Sequence, residues 1–113
     1  ALVILAGCRP QAEQRAREMT GGEPREGRIA IARYGCGTCH KIRGVDGANG
    51  VIGPSLSNIA SRSTLAGQVP NKPDNLRQWI EDPQRIAPGT TMPDMNVTSQ
   101  DARDIAAYLY TLR

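Results

Sequence analysis

The sequence predicts an all-α domain, and three observations lead to that reading. Apolar residues recur at helical spacing near Gly27–Tyr34, Asp74–Glu81 and Ala102–Leu112. No strand pattern precedes the Cys36/Cys39 pair. The 113 residues hold only four aromatics, Tyr34, Trp79, Tyr108 and Tyr110, and no phenylalanine. That is material for one domain but not for a large self-sufficient core, so a bulky apolar centre from outside the side chains would fill the deficit.

Cys36-Gly37-Thr38-Cys39-His40 supplies such a centre. A C-x-x-C-H run reads as a covalent haem attachment site, because two cysteines on one tight turn can each add across a vinyl group of the same porphyrin. The imidazole of the next residue, His40, then lies under the ring as proximal ligand. Structural zinc wants four N/S donors, and the chain has one histidine and only one further cysteine, Cys8. A redox dithiol belongs at a strand-to-helix step, which is missing here, and a plain disulfide is the remaining rival reading. The formal charge of +3 is mild, and two ionised haem propionates bring it close to neutral. Basic residues are scattered without a Lys/Arg run, so a nucleic-acid partner has no support.

Taken in order, Ala1–Cys8 is an apolar run ending in Leu5-Ala6-Gly7-Cys8. It resembles the end of a bacterial lipoprotein signal, in which cleavage precedes the cysteine and lipid is attached to it. That implies residues 1–7 as the end of the signal and Cys8 as the lipidated first residue of the mature chain. The alternative is an uncleaved membrane anchor with Cys8 as an ordinary cysteine, although seven apolar residues alone cannot span a bilayer. Arg9–Glu26 holds four arginines, four glutamates, Pro10, Gly21-Gly22 and Pro24, and hardly an apolar residue. Residues 8–26 are therefore expected to be a flexible linker, with transient helix at Gln11–Met19 and, as a coil, a reach of roughly 20–25 Å.

The domain proper is expected over residues 27–113. Its first helix spans Gly27–Tyr34 with Ile29, Ile31, Ala32 and Tyr34 as apolar contacts, and ends at Gly35. A glycine-rich loop follows, through Gly44, Gly47, Gly50 and Gly53, closing on Gly53-Pro54-Ser55-Leu56 and a short helical pattern of Leu56, Ile59 and Ala60. Leu76, Trp79 and Ile80 give the next helix one apolar face, and Asp82-Pro83 ends it. Thr98-Ser99-Gln100-Asp101 is a capping pattern opening a last helix through Ala102, Ile105, Ala106, Leu109 and Leu112. Between them, Pro88-Gly89-Thr90-Thr91-Met92-Pro93 places a methionine in a stiff loop where no periodicity buries it. A thioether from a fixed loop suits the far face of a haem iron. Met95 is the competitor, with Met19, a lysine or an open site behind it, and the single histidine excludes bis-histidine ligation within one chain.

These motifs together resemble class I cytochrome c, from about Gly27 to Arg113. The resemblance implies a small fold of three to five helices wrapped around one haem c, covalent through Cys36 and Cys39. It implies that the Pro54 carbonyl accepts from His40, that Arg62 bonds a propionate, that Trp79 lines the sixth-ligand side, and that Met92 is the axial methionine. A simple turn, a solvated arginine and a core indole are the plain alternatives for Pro54, Arg62 and Trp79. The resemblance further implies that the last helix crosses the first, with Tyr108 in the contact. Residues 70–83 and Pro88–Pro93 are most similar to the cytochrome c domain fused to the second subunit of some bacterial haem-copper oxidases. The residues ahead of the domain hold neither a copper-binding cysteine pair nor a β-rich segment, and the first helix lacks the family's phenylalanine.

The function implied is electron transfer, not catalysis: a monohaem carrier between respiratory or photosynthetic complexes, lipid-anchored through Cys8 on the periplasmic side of a bacterial membrane. A quinol-oxidising complex would be the donor and a haem-copper oxidase the acceptor. Two other readings stay open, a permanently bound haem subunit of a membrane complex and a haem sensor or gas-binding protein.

Overall fold

The computed structural model describes residues 8–113. The lipobox-like run up to Gly7 and the side chain of Cys8 lie outside the described residues. Among the described residues five α-helices are formed: α1 (Cys8–Thr20), α2 (Pro24–Tyr34), α3 (Pro73–Glu81), α4 (Pro83–Ile86) and α5 (Ser99–Leu109). The only sheet among the described residues is a two-stranded hairpin, β1 (Thr64–Leu65) with antiparallel β2 (Val69–Pro70). No helix of the described residues is long and apolar enough to cross a membrane.

The α2–α5 crossing is the centre of the fold. On α2 Pro24 is buried at the first turn, and beyond it the buried residues are Gly27, Ala30 and Ile31, with Tyr34 half-buried below them. That is a strict i, i+3, i+4, i+7 stripe. Ile29, expected inside, is 54% exposed, and Ala32 is exposed as well. The reason is Gly27, which a hydropathy pattern does not count as a core position but which sets the rotation of the helix. A Cβ built there falls 1.8 Å from the Asp104 carbonyl oxygen, so the two backbones touch. Ala102, Ile105, Ala106 and Leu109 of α5 complete the interface. Polar ties lock its far end: the Tyr34 hydroxyl donates to Asp101 at 2.6 Å and the Arg33 guanidinium to the same oxygen at 2.9 Å. Tyr108, expected in this crossing, donates its hydroxyl to the Arg43 carbonyl at 2.6 Å and so braces the loop after the haem motif. The expected cap of α5 is present, with the Thr98 hydroxyl accepting from the Asp101 N–H.

The segment expected as a coil is different. Residues 8–20 form α1, which packs on α5 through Ala16, 1% exposed. The apolar content that argued against a docked helix is indeed low, and the docking is largely polar. Arg17 bonds both oxygens of Glu23, at 2.8 and 3.0 Å, and Glu13 on the preceding turn. The carboxylate of Asp104, buried on α5, accepts from the Glu23 backbone N–H at 2.9 Å and from Gln100 at 3.0 Å. Asp104 thus satisfies one of the free N–H groups at the start of α2, where negative charge is favoured.

Tyr110, at the end of α5, carries a pH dependence. Its ring is 7% exposed and its hydroxyl donates to Asn71 at 2.8 Å, while Asn71 donates to the carbonyls of Ile59 and Arg62. Burial pushes the phenol from 10 up to about 12. The folded chain therefore keeps a proton that the unfolded chain releases, so this contribution to stability is full below pH 10 and is lost between about 10 and 12. One of the three tyrosines should ionise last in an ultraviolet titration, and Tyr110→Phe should abolish that late step and flatten the alkaline loss of stability. A late step that survives in Tyr110→Phe would rule the assignment out.

Candidate functional site

The end of α2 makes the attachment turn. Gly35 adopts φ +72°, the left-handed region, and its N–H returns to Ala32. This stops the helix and throws the chain into a 3₁₀ turn over Cys36–Thr38. The N–H groups of Cys39 and His40 both bond the Cys36 carbonyl, which puts the two sulfurs and the imidazole on one turn. Cys36 and Cys39 form no disulfide with each other, and each is partly buried. Burial pushes the Cys36 thiol up. A reactive dithiol needs the opposite shift, whereas a neutral thioether sulfur is at ease in such surroundings.

The loop then folds back under His40. Gly53 donates its N–H to the Cys39 carbonyl at 2.7 Å, and Gly50 donates to Gly37 at 3.0 Å. A Cβ at Gly53 would come within 2.4 Å of the His40 ring, so only glycine lets the backbone lie against the imidazole. One residue on, the Pro54 carbonyl stands 2.7 Å from His40 Nδ1. A carbonyl can only accept, so Nδ1 carries the proton and Nε2 keeps its lone pair for a metal. The Arg62 guanidinium donates to the Ser55 carbonyl, bracing the same segment from outside.

A second unit carries the other residues expected at the site. Leu76 and Ile80 anchor α3 in the core and Trp79 is half-buried beside them, its indole without a hydrogen bond to any described residue. The break expected at Asp82-Pro83 is a restart: Asp82 accepts from the Arg85 N–H and caps α4. Met92 follows on the 88–93 loop, half-buried, whereas Met95 is 44% exposed. Gln84 of α4, which no sequence signal singled out, hydrogen-bonds this loop.

Donors and cradle fit a haem. Two cysteines on one turn suit covalent attachment of the ring, and an imidazole whose Nε2 lone pair is free is a donor for its iron. Among the described residues no three His, Cys, Asp or Glu side chains converge to hold a bare ion instead.

Similarity to known proteins gives the family. A family model described as Cytochrome c matches residues 26–113. The chain is 33% identical over 89 residues to "Cytochrome c oxidase subunit 2" of Alkalihalophilus pseudofirmus, a match covering 78% of this chain and 25% of the relative. It is 27% identical over 88 residues to the protein of the same name from a Bacillus species, covering 74% and 25%. It is 34% identical over 109 residues to "Cytochrome c2" of Rhodopila globiformis, covering 81% of this chain and 95% of the relative. The chain thus spans about a quarter of the two oxidase subunits and nearly all of the small protein.

Proposed function

Because this chain belongs to the cytochrome c family and carries haem c bound through Cys36 and Cys39, we propose that it is a membrane-tethered carrier of single electrons that donates to a haem-copper oxidase. The observation that carries the reading is the 2.7 Å contact between His40 Nδ1 and the Pro54 carbonyl, which fixes the tautomer and leaves Nε2 as the ligand. Haem c supplies a one-electron ferric/ferrous couple. His40 and Met92 would be the protein's two ligands to the iron, leaving none of its positions for a substrate, and methionine ligation would raise the potential to suit a late acceptor. The Pro54 carbonyl, accepting from His40 Nδ1–H, strengthens the imidazole as a ligand. By the family resemblance, Arg62 would lie toward the propionates and Trp79 would line the sixth-ligand side.

Cys8 is the proposed point of lipid attachment, on the periplasmic face of a bacterial membrane. From there α1 leads to the domain, and its thirteen residues measure about 20 Å. A packed helix holds the domain near the bilayer more tightly than a coil would. Mass spectrometry of the native amino terminus tests this: a diacylglyceryl Cys8 supports the anchor, and a chain still beginning at Ala1 removes it.

The oxidase-subunit relatives favour a second reading, that of a haem module fixed within a complex. In membranes, high salt separates the two readings. A domain that stays with the oxidase in high salt is a fixed subunit, while one that is released and still reduces added oxidase is a carrier. Failure to take up and return one electron reversibly in a redox titration would defeat both.

A further inference from the structure

We propose that Gln84 is the positioning residue of the axial methionine, holding the backbone of the 89–92 loop so that the Met92 thioether stays on the iron. The inference rests on the reading of Met92 as sixth ligand and goes beyond it, since it names what keeps that ligand in place. One carboxamide makes three hydrogen bonds to the loop. Gln84 Nε2 donates to the Thr90 carbonyl at 2.8 Å and to the Met92 carbonyl at 3.0 Å, and Oε1 accepts from the Gly89 N–H at 3.0 Å. The reversed amide would set its oxygen against two carbonyls, so the orientation is fixed by its partners.

The clamp stands on a firm base. Pro83, the residue before it, is fully buried, and the Asp82 side chain caps the short α4 from which Gln84 projects. The loop itself has little else to hold it. Gly89 sits at φ +85°, Thr90 donates back only to Ala87, and Thr90 and Met92 lie outside any helix or strand, where carbonyls lack a repeating partner. A thioether is a weak ligand, and its occupancy of the iron depends on how far its backbone can wander. Met95 shows the contrast. It is 44% exposed, and the neighbouring Asn96 N–H bonds Asp94 locally, so nothing on α4 holds that segment.

The test is competition by imidazole for the sixth position of the ferric holo-protein, read with the far-red iron–methionine band. Gln84→Leu keeps bulk and removes all three bonds, while Gln84→Glu keeps length and acceptor but removes both donors. Each variant should bind imidazole about five- to tenfold more tightly than wild type, the change expected when about one net hydrogen bond's worth of loop restraint is lost. The far-red band should persist but yield at lower imidazole. A merely structural glutamine would shift thermal unfolding and leave imidazole affinity alone. Affinities within about twofold of wild type in both variants, less than one net hydrogen bond, overturn the proposal. Met92→Ala separates this from the parent reading: if it loses the band while the Gln84 variants match wild type, only the clamp fails. If Met92→Ala keeps the band, both readings fall.

Discussion

Met92→Ala should erase the far-red band of the oxidised protein, let carbon monoxide bind the reduced form at neutral pH, and lower the reduction potential by on the order of 100 mV or more, out of the roughly 0.8 V that axial ligands span. The potential falls because the thioether favours the ferrous state, and water or hydroxide in its place does not. Met95→Ala should change none of the three. The structural grounds for this asymmetry lie in the backbone: the Met92 carbonyl is bonded to Gln84, and its side chain is half-buried where that of Met95 is largely in solvent. Met92 also stands between Pro88-Gly89 and Pro93, whose fixed geometry limits where its sulfur can travel. The reverse pattern, band lost in Met95→Ala and kept in Met92→Ala, would transfer the ligand role and with it the meaning of the Gln84 contacts. Carbon monoxide binding readily to wild type would point instead to an open site and a sensor.

Residues whose chemistry is local were legible in the sequence, and residues whose role comes from a distant partner were not. The attachment turn needs five consecutive residues and a glycine, all adjacent, and the structure builds it at Cys36–His40 as expected. The His40–Pro54 contact bridges fourteen positions and was reached only through resemblance to a family. The helical tendency of Gln11–Met19 is legible, but the docking of α1 is not, because it depends on one small residue, Ala16, and on charged groups of other segments, Glu23 and Asp104, which no periodicity within residues 9–20 announces. The observed face of α2 escapes an apolar pattern because glycine has no side chain to score, yet Gly27 is where a Cβ would strike the α5 backbone. α4 escaped because Asp82-Pro83 stops one helix and starts another with the same two residues. Gln84 escaped because a polar residue on a four-residue helix carries no pattern at all. Trp79 lies on the expected helix, and its part on the sixth-ligand side rests on family resemblance.

Gly27→Ala should destabilise the domain by about 2–3 kcal/mol, the overpacking cost, even though alanine is the better helix former by about 1 kcal/mol. The new methyl would sit 1.8 Å from the Asp104 oxygen, 2.5 Å from its carbonyl carbon and 3.0 Å from the Ile105 nitrogen. All three are backbone atoms in the middle of α5, so no side chain can swing aside and the helices must part. Parting them loosens Ala30 and Ile31 against Ala102, Ile105 and Ala106, and pulls on the Tyr34–Asp101 hydrogen bond one residue before the left-handed Gly35. Because Cys36 follows directly, strain at the crossing is passed to the attachment turn. Gly27→Val adds a stiff branch to the same clash and should cost more, which is a large part of a total stability near 5–15 kcal/mol. Arg28→Ala, one position along and exposed, is the control and should stay within about 0.5 kcal/mol of wild type. Denaturant unfolding of the haem-bearing protein, followed by far-ultraviolet circular dichroism, measures all three. Helix propensity and the crossing make opposite forecasts for Gly27→Ala, so the sign of its change decides between them: a more stable variant would mean that the two backbones do not meet as closely as the α2–α5 geometry requires.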